Sequence, residues 1–317
     1  MKVLIGYDGS DSAKSAIRGL HRAGLPHDTE VVVMSVADVL PGQPQSTGQP
    51  DSERVGWEAA PIVMKARALE AATRAEAQTL AAEGAVLVTT EFPGWKVSHT
   101  AYAGSPYWAL IQPPDVSPDL LVVGSQGRSA LGRFLMGSVS QNVLRHAACS
   151  VRISRPHEGA TIGSTGFAPI RVVLGIDGSS HSALALSAVL SRAWPRETEV
   201  KVVAVLDAKF WLYLADARSS PLAWAGRANG EEDGESWADR AVNTVAAELR
   251  LSGLVPSTLV TEGDPKRVLV DEAEKWNADC IFVGAKGHSG LERFLLGSVS
   301  AAVAARAHCS VEVVRQG

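Results

Sequence analysis

Residues 124–151, GSQGRSALGRFLMGSVSQNVLRHAACSV, return at residues 284–311 as GAKGHSGLERFLLGSVSAAVAARAHCSV, with 16 of 28 positions identical and no gap. An ungapped match of that length marks an internal repeat, which is the first thing to settle in a fold. A second landmark lies upstream. Val3-Leu4-Ile5-Gly6-Tyr7-Asp8-Gly9-Ser10 matches Val172-Val173-Leu174-Gly175-Ile176-Asp177-Gly178-Ser179. The offset is 169 residues at the upstream landmark and 160 at the downstream one, so the first copy carries nine extra residues between them. The chain is one unit written twice.

Within each copy, strand-like and helix-like runs alternate. In the first, strands are expected at 2–7, 30–36, 86–91, 120–123 and 149–154, with helices at 13–23, 62–83, 107–112 and 138–146. In the second, strands are expected at 171–176, 199–206, 257–261, 280–283 and 309–314, with helices at 182–193, 237–251, 265–275 and 298–305. The strands show little polar–apolar alternation, as parallel strands buried on both faces do. Such alternation of elements predicts an α/β fold of two tandem doubly wound parallel five-stranded sheets, Rossmann-like. The domains are drawn at 1–155 and 170–317, joined by a linker at 156–169 rich in Gly, Ser, Thr and Pro. Residues 92–104, with Trp95 and Tyr102, have no clear counterpart in the second copy. They read as the insertion, either a packed surface flap or a lid over the first site. Polar stretches at 41–57 and 208–235 read as long loops that a ligand would order.

The chemistry sits in Gly124-x2-Gly127-x9-Gly137-Ser138 and its repeat Gly284-x2-Gly287-x9-Gly297-Ser298. Glycines permit positive φ and close approach of backbone to a ligand. A loop that leaves a strand and opens a helix aims free N–H groups at one point, which suits an anion. Ser138 and Ser298 are placed to cap the helix or to bind a phosphate oxygen. The plain alternative is that the glycines only make turns and the serines only cap. The full spacing, present twice, favours nucleotide phosphates. It is neither a Walker A loop nor the GxGxxG of dinucleotide folds. Asp8 and Asp177 each end the first strand of a copy, at the carboxyl edge where open α/β sheets bind ligands. Each is read either as a partner for adenine or ribose or as an Asx-turn residue, and one Asp can do both.

The Asp-Gly-Ser after the first strand, the long glycine loop and the closing apolar strand together resemble the universal stress protein family, in a tandem member of its ATP-binding branch. The resemblance covers nearly the whole chain. It implies a strand order of 3-2-1-4-5 and adenine held near Tyr7, Asp8 and Val36, or near Ile176, Asp177 and Val205. It implies ribose and phosphates at Gly124, Gln126, Gly127, Gly137, Ser138, Val139 and Ser140. The second copy offers Gly284, Lys286, Gly287, Gly297, Ser298, Val299 and Ser300. ATP or another adenine nucleotide is the implied ligand, with Mg or Mn bridging its phosphates, although no protein ligand set for a metal is visible. The last strands of the two copies are expected to pair as an internal pseudo-dimer, and whole chains as a homodimer. Gln126 answers to Lys286 and Arg128 to His288, so unequal affinities are expected, with the second site favoured. Arg133 and Arg293 recur in the loop as phosphate contacts or as solvated arginines.

Composition narrows the remaining classes. The 317 residues are 46% hydrophobic and 20% charged, with a net charge of −4. Residues 1–155 balance and 156–317 carry the acidic excess, so nucleic acid is not an expected partner. No apolar run approaches the ~18 residues of a membrane span. The chain enters a strand-like run at Val3 without a basic leader, and a cytoplasmic protein is expected. Cys149, Cys280 and Cys309 fit no zinc or CxxC spacing and read as apolar core residues. None of His99, His146, His181 or His308 recurs at a matching loop position with an acidic partner. The leading reading is therefore a non-catalytic, ATP-binding regulatory protein of the stress response. A slow ATPase or phosphotransferase, which would need a positioned base, and an interaction scaffold without nucleotide are the alternatives.

Overall fold

The structure, a computed structural model, describes residues 1–38, 61–127, 136–156, 169–207, 237–287 and 296–316. The first copy runs β1 (Lys2–Gly6), α1 (Asp11–Arg18), a 3-10 turn (Gly19–Arg22), β2 (Glu30–Ala37), α2 (Pro61–Glu91), β3 (Lys96–Ala103), α3 (Pro106–Ile111), β4 (Leu120–Gly124), α4 (Ser138–His146) and β5 (Ser150–Ser154). The second runs β6 (Arg171–Ile176), α5 (Ser180–Leu190), β7 (Glu199–Leu206), α6 (Trp237–Leu251), β8 (Val255–Glu262), α7 (Pro265–Lys275), β9 (Cys280–Gly284), α8 (Ser298–Arg306) and β10 (Ser310–Val314). Both copies order their strands 3-2-1-4-5, all parallel, as the resemblance implies. The two sheets are continuous. β5 pairs antiparallel with β10, which gives one ten-stranded sheet in the order β3-β2-β1-β4-β5-β10-β9-β6-β7-β8.

The third strand of the first copy departs from expectation. Residues 86–91 are not a strand but the last turns of α2, and the supposed insertion at 92–104 contains β3 itself. It is therefore neither a flap nor a lid. The extra length lies upstream, between Ala37 and Lys96, against the shorter span between Leu206 and Val255. Gly84 does not end α2, because it is a contact point. A Cβ there would stand 2.8 Å from Val33 and 2.9 Å from the Tyr7 ring. Beyond it, Ala85, Val88 and Phe92 are buried at helical spacing with Ala77 and Ala81. Thr89 and Thr90 satisfy their hydroxyls on the carbonyls of Ala85 (2.9 Å) and Val86 (2.8 Å), one turn back. β3 is an edge strand in register with β2, with Tyr102 beside Val36. Trp95, just before it, stacks on Phe92 at 3.9 Å and donates to Pro26 O.

One core lies on a single face of the sheet and crosses the junction. It joins Leu121, Val143, Leu144, Val151 and Ile153 of the first copy to Val283, Val303, Val311 and Val313 of the second. The opposite face carries two separate cores. One lies under α1 and α2, with Ile5, Ile17 and Val88; the other lies under α5 and α6, with Leu174, Val189 and Val242. Polar clamps flank the junction reciprocally. Arg155 N donates to Ser310 Oγ (3.2 Å) and Arg315 N to Ser150 Oγ (3.1 Å). Arg155 also donates to Ala304 O in the last turn of α8, and Arg315 to Leu144 O in the last turn of α4. Each guanidinium thus meets the negative end of the other copy's helix. The three cysteines are free and buried, as expected. Burial pushes their thiols up to about 11 at Cys149 and Cys280 and about 12 at Cys309.

Candidate functional site

The site is built where two neighbouring strands send their chains to opposite faces. β1 and β4 lie side by side, with Ile5 beside Val122. The chain leaves β1 into α1 on one face and leaves β4 towards α4 on the other, which opens a crevice at the carboxyl ends of both strands. β6 and β9 repeat the arrangement, with α5 and α8.

Asp8-Gly9-Ser10 forms the first wall. Gly9 has φ +77°, which a side chain would resist. Asp8 Oδ1 accepts from Ser10 N at 3.0 Å, and Ser10 Oγ caps α1 by accepting from Ala13 N at 3.2 Å. In the second copy Gly178 has φ +82°, Asp177 Oδ1 accepts from Ser179 N at 2.9 Å, and Ser179 Oγ accepts from Ser182 N at 3.1 Å. The Asx-turn role is therefore present in both copies, and it employs one oxygen of each carboxylate.

The glycine loop forms the second wall, and its glycines serve close approach. None of the six has positive φ; Gly137 and Gly297 sit at −64° and −63°. A Cβ on Gly124 would stand 2.6 Å from Ser12 Oγ and 2.9 Å from the Ser12 carbonyl. On Gly284 it would stand 2.5 Å from the carbonyl carbon of His181. These two glycines admit the first turn of α1 and α5. Gly127 and Gly287 lie against the aspartates, with 3.1 Å from such a Cβ to Asp8 Oδ2 and 2.7 Å to Asp177 Oδ2. The carboxylate and the loop backbone thus meet in both copies.

The helix starts complete the crevice. Gly137 N donates to Ser125 O (2.8 Å) and Gly297 N to Ala285 O (2.7 Å), which holds each helix start against the end of the fourth strand. The N-caps are Gly137 and Gly297, and no side chain caps either helix. Ser138 and Ser298 occupy the first helical position, so capping, one of the two roles read for them, is not theirs. The leading N–H groups of α4 and α8, at Ser138, Val139, Ser298 and Val299, have no acceptor within the helix. Ser140 and Ser300 are buried braces. Ser140 Oγ donates to Gly124 O at 2.7 Å, and Ser300 Oγ lies 3.0 Å from the carbonyls of both Ala285 and Gly297.

Other expected residues pack into the cores. Tyr7 and Ile176 are buried in the cores under α1 and α5. Val36 and Val205 are half-buried near the carboxyl ends of β2 and β7 and pack on the shared core. Arg128, Arg133, His288 and Arg293, with the stretches 41–57 and 208–235 and most of the linker, lie outside the described residues. One residue was passed over. His181 stands in the second copy where Ser12 stands in the first, at the offset of 169. Burial, and next the Lys286 ammonium, push its imidazole down, while Asp177 opposes them. In the first copy Ser12 Oγ instead accepts from Gln126 N at 3.2 Å. His181 is found by aligning the two copies position by position, because the first-copy residue bears no resemblance to it.

Two spans of this chain, 1–155 and 170–315, match the family model described as "Universal stress protein family". The chain belongs to the universal stress protein family. A universal stress protein of Mycolicibacterium smegmatis is 28% identical over 99% of this chain and 96% of its own length. Another, from Mycobacterium tuberculosis, is 34% identical over 62% of each chain. The crystal structure of a universal stress protein from Archaeoglobus fulgidus aligns over 100% of this chain and 96% of its own at TM-score 0.60 and 18% identity. A functionally unknown protein from Pseudomonas aeruginosa aligns over 99% and 92% at TM-score 0.53 and 12% identity. These likenesses extend the tandem architecture to both halves of the universal stress fold. Among the described residues, no helix is long and apolar enough to cross a membrane, and no cluster of three or more His, Cys, Asp or Glu stands ready for a metal ion.

Proposed function

We propose that each half of this universal stress protein binds an adenine nucleotide, ATP in the first instance, and that the protein acts in the cytoplasm as a non-catalytic, nucleotide-responsive regulator. One observation carries the reading. In both halves an uncapped helix start, a glycine loop and an aspartate turn converge at the switch point of the sheet. Uncapped N–H groups at the positive end of a helix suit phosphate oxygens. Lys286 adds a cation in the second half. Any Mg or Mn would ride on the phosphates, since the described residues bring no carboxylate cluster to hold it. The two halves act as domains paired as an internal pseudo-dimer. Because β5 and β10 consume each other's edges, a homodimer of whole chains must use another surface.

Isothermal titration with ATP tests the proposal. Binding is expected at about micromolar to millimolar Kd, with two classes of site and the tighter one weakened by Lys286→Gln. Absence of heat and stoichiometry would refute nucleotide binding and leave the scaffold reading. Phosphate release clearly above that of a Gly127→Val/Gly287→Val variant would replace the regulator with a slow ATPase.

A further inference from the structure

The centre of the junction between the halves is charged where its surroundings are apolar. On β5, Val151 and Ile153 turn to the shared core, and Arg152 between them turns the other way at 1% exposure. Directly opposite on β10 stands Glu312, at 0% exposure, between Val311 and Val313. Arg152 Nη1 lies 3.4 Å from Glu312 Oε2 and 3.1 Å from Cys280 Sγ. Arg192, just beyond α5, donates to the other Glu312 oxygen. A buried guanidinium without a counter-ion is strongly disfavoured, because desolvation is not repaid.

The two offsets show which residues are equivalent. Arg152 and Glu312 are the same position of the two copies at offset 160, and Arg192 answers to Ala23 at offset 169. The second half therefore supplies both Glu312 and Arg192, while the first supplies only Arg152. If the first half paired with itself through the same strands, Arg152 would face Arg152, with alanine where Arg192 stands. Two guanidiniums would be buried with no carboxylate. If the second half paired with itself, two glutamates and two arginines would meet and balance. The outer Arg22–Asp279 ion pair leans the other way, because Asp119 stands at the position of Asp279 and Ser191 at that of Arg22: a first–first pair would make it twice and a second–second pair not at all, but it is the more exposed contact, with Arg22 at 21% against 1% for Arg152.

We propose that this junction is a one-way lock: the first half accepts only the second half as its fifth-strand partner, and Glu312 is the residue that decides it. A fifth-strand surface from any other chain of this fold docks on β5 only if it brings a carboxylate to that place.

The test uses the full chain with a specific protease site placed between residues 156 and 169, cut after folding. Light and 15N-labelled cut protein are mixed, and native mass spectrometry reads which halves remain paired. Wild type is expected to exchange into first–second pairs, with no self-pair of the first half. Glu312→Arg should weaken the pairing about 100-fold or more, and Arg152→Glu/Glu312→Arg should return it to within about tenfold of wild type by restoring one carboxylate between two guanidiniums. Glu312→Gln, nearly isosteric, should weaken it at least about tenfold and serves if the arginine variant fails to fold. Self-pairs of the first half, halves that do not re-pair in wild type, Glu312→Gln within threefold of wild type, or a double variant as weak as the single would each overturn the proposal.

Discussion

Gly284→Ala separates the glycines that serve the fold from those that serve the crevice. The new Cβ would lie 2.5 Å from the His181 carbonyl carbon, 2.6 Å from its oxygen and 2.8 Å from its Cβ. Two of these are backbone atoms in the first turn of α5, so no side-chain rotation relieves the overlap. The helix itself must retreat, and it is anchored by Ala185 and Val189, both at 0% exposure. Overpacking of this kind costs about 1–3 kcal/mol. A loss of about 2 kcal/mol lowers Tm by roughly 4–8 °C for a cooperative unit of this size. Gly137→Ala is the control. Its nearest neighbour would be 3.6 Å away and its φ is −64°, so only the modest N-cap preference is lost, about 0.5–1 kcal/mol. Scanning calorimetry without ligand reads both. If Gly284→Ala melts within about 1 °C of wild type, or if Gly137→Ala falls as far, the argument that the first glycine of the loop is a packing residue is wrong. Loss of nucleotide in Gly284→Ala would then need a different explanation from a displaced α5.

Arg22→Ala should destabilise the protein by about 3 kcal/mol in urea unfolding, because it strips one partner from an Asp279 carboxylate that is only 2% exposed; the backbone N–H of Arg171 remains as a second donor at 2.8 Å. A change under about 0.5 kcal/mol would show that the carboxylate finds water instead. His181 has its pKa lowered on folding. The unfolded chain therefore binds that proton more readily, and its contribution to stability is full above the unfolded value of about 6.5 and fades as pH falls below it. Between pH 7.5 and 5.5 the wild type should lose more stability than His181→Ser, and a phosphate-bearing ligand, which restores the proton, should bind the second half more tightly as pH falls. Parallel pH profiles in the two proteins would sink this assignment.

Most elements were legible because the apolar runs are dense and the chain states them twice, while the strand order was legible only through the family resemblance that the Asp-Gly-Ser turn and the glycine loop carry. The spans 171–176, 199–206, 237–251, 265–275 and 138–146 coincide with β6, β7, α6, α7 and α4. The failure at 86–91 has a physical cause. Gly84-Ala85 followed by Val, Leu, Val and two threonines has the composition of a strand, and it takes the packing of Val33 and Tyr7 against Gly84 and the helical spacing of buried Ala85, Val88 and Phe92 to show that the helix continues. β3 was missed for the complementary reason. As an edge strand with exposed Lys96, Ser98 and His99, it lacks the apolar density of the central strands. The crevice was legible as a place but not in its division of labour. Spacing located six glycines, yet it takes the positions of Ser12, His181, Asp8 and Asp177 to tell those that admit a helix from those that meet a carboxylate.

The differences between the copies fall into two kinds, and geometry separates them. Arg152 and Glu312 differ, and they face each other across the antiparallel pair, so their difference is complementary and is explained by the contact itself. Ser12 and His181 differ, as do Gln126 and Lys286, but β1 and β6 are separated by β4, β5, β10 and β9, so the two crevices never meet. Among the described residues, no contact between the halves accounts for those changes. The first crevice has a neutral hydroxyl and amide where the second has an imidazole and an ammonium beside the same aspartate turn. Under identical glycine spacing, that contrast alters the field at the helix start. If each half binds a nucleotide as proposed, the two are expected to differ in how strongly they hold its phosphates.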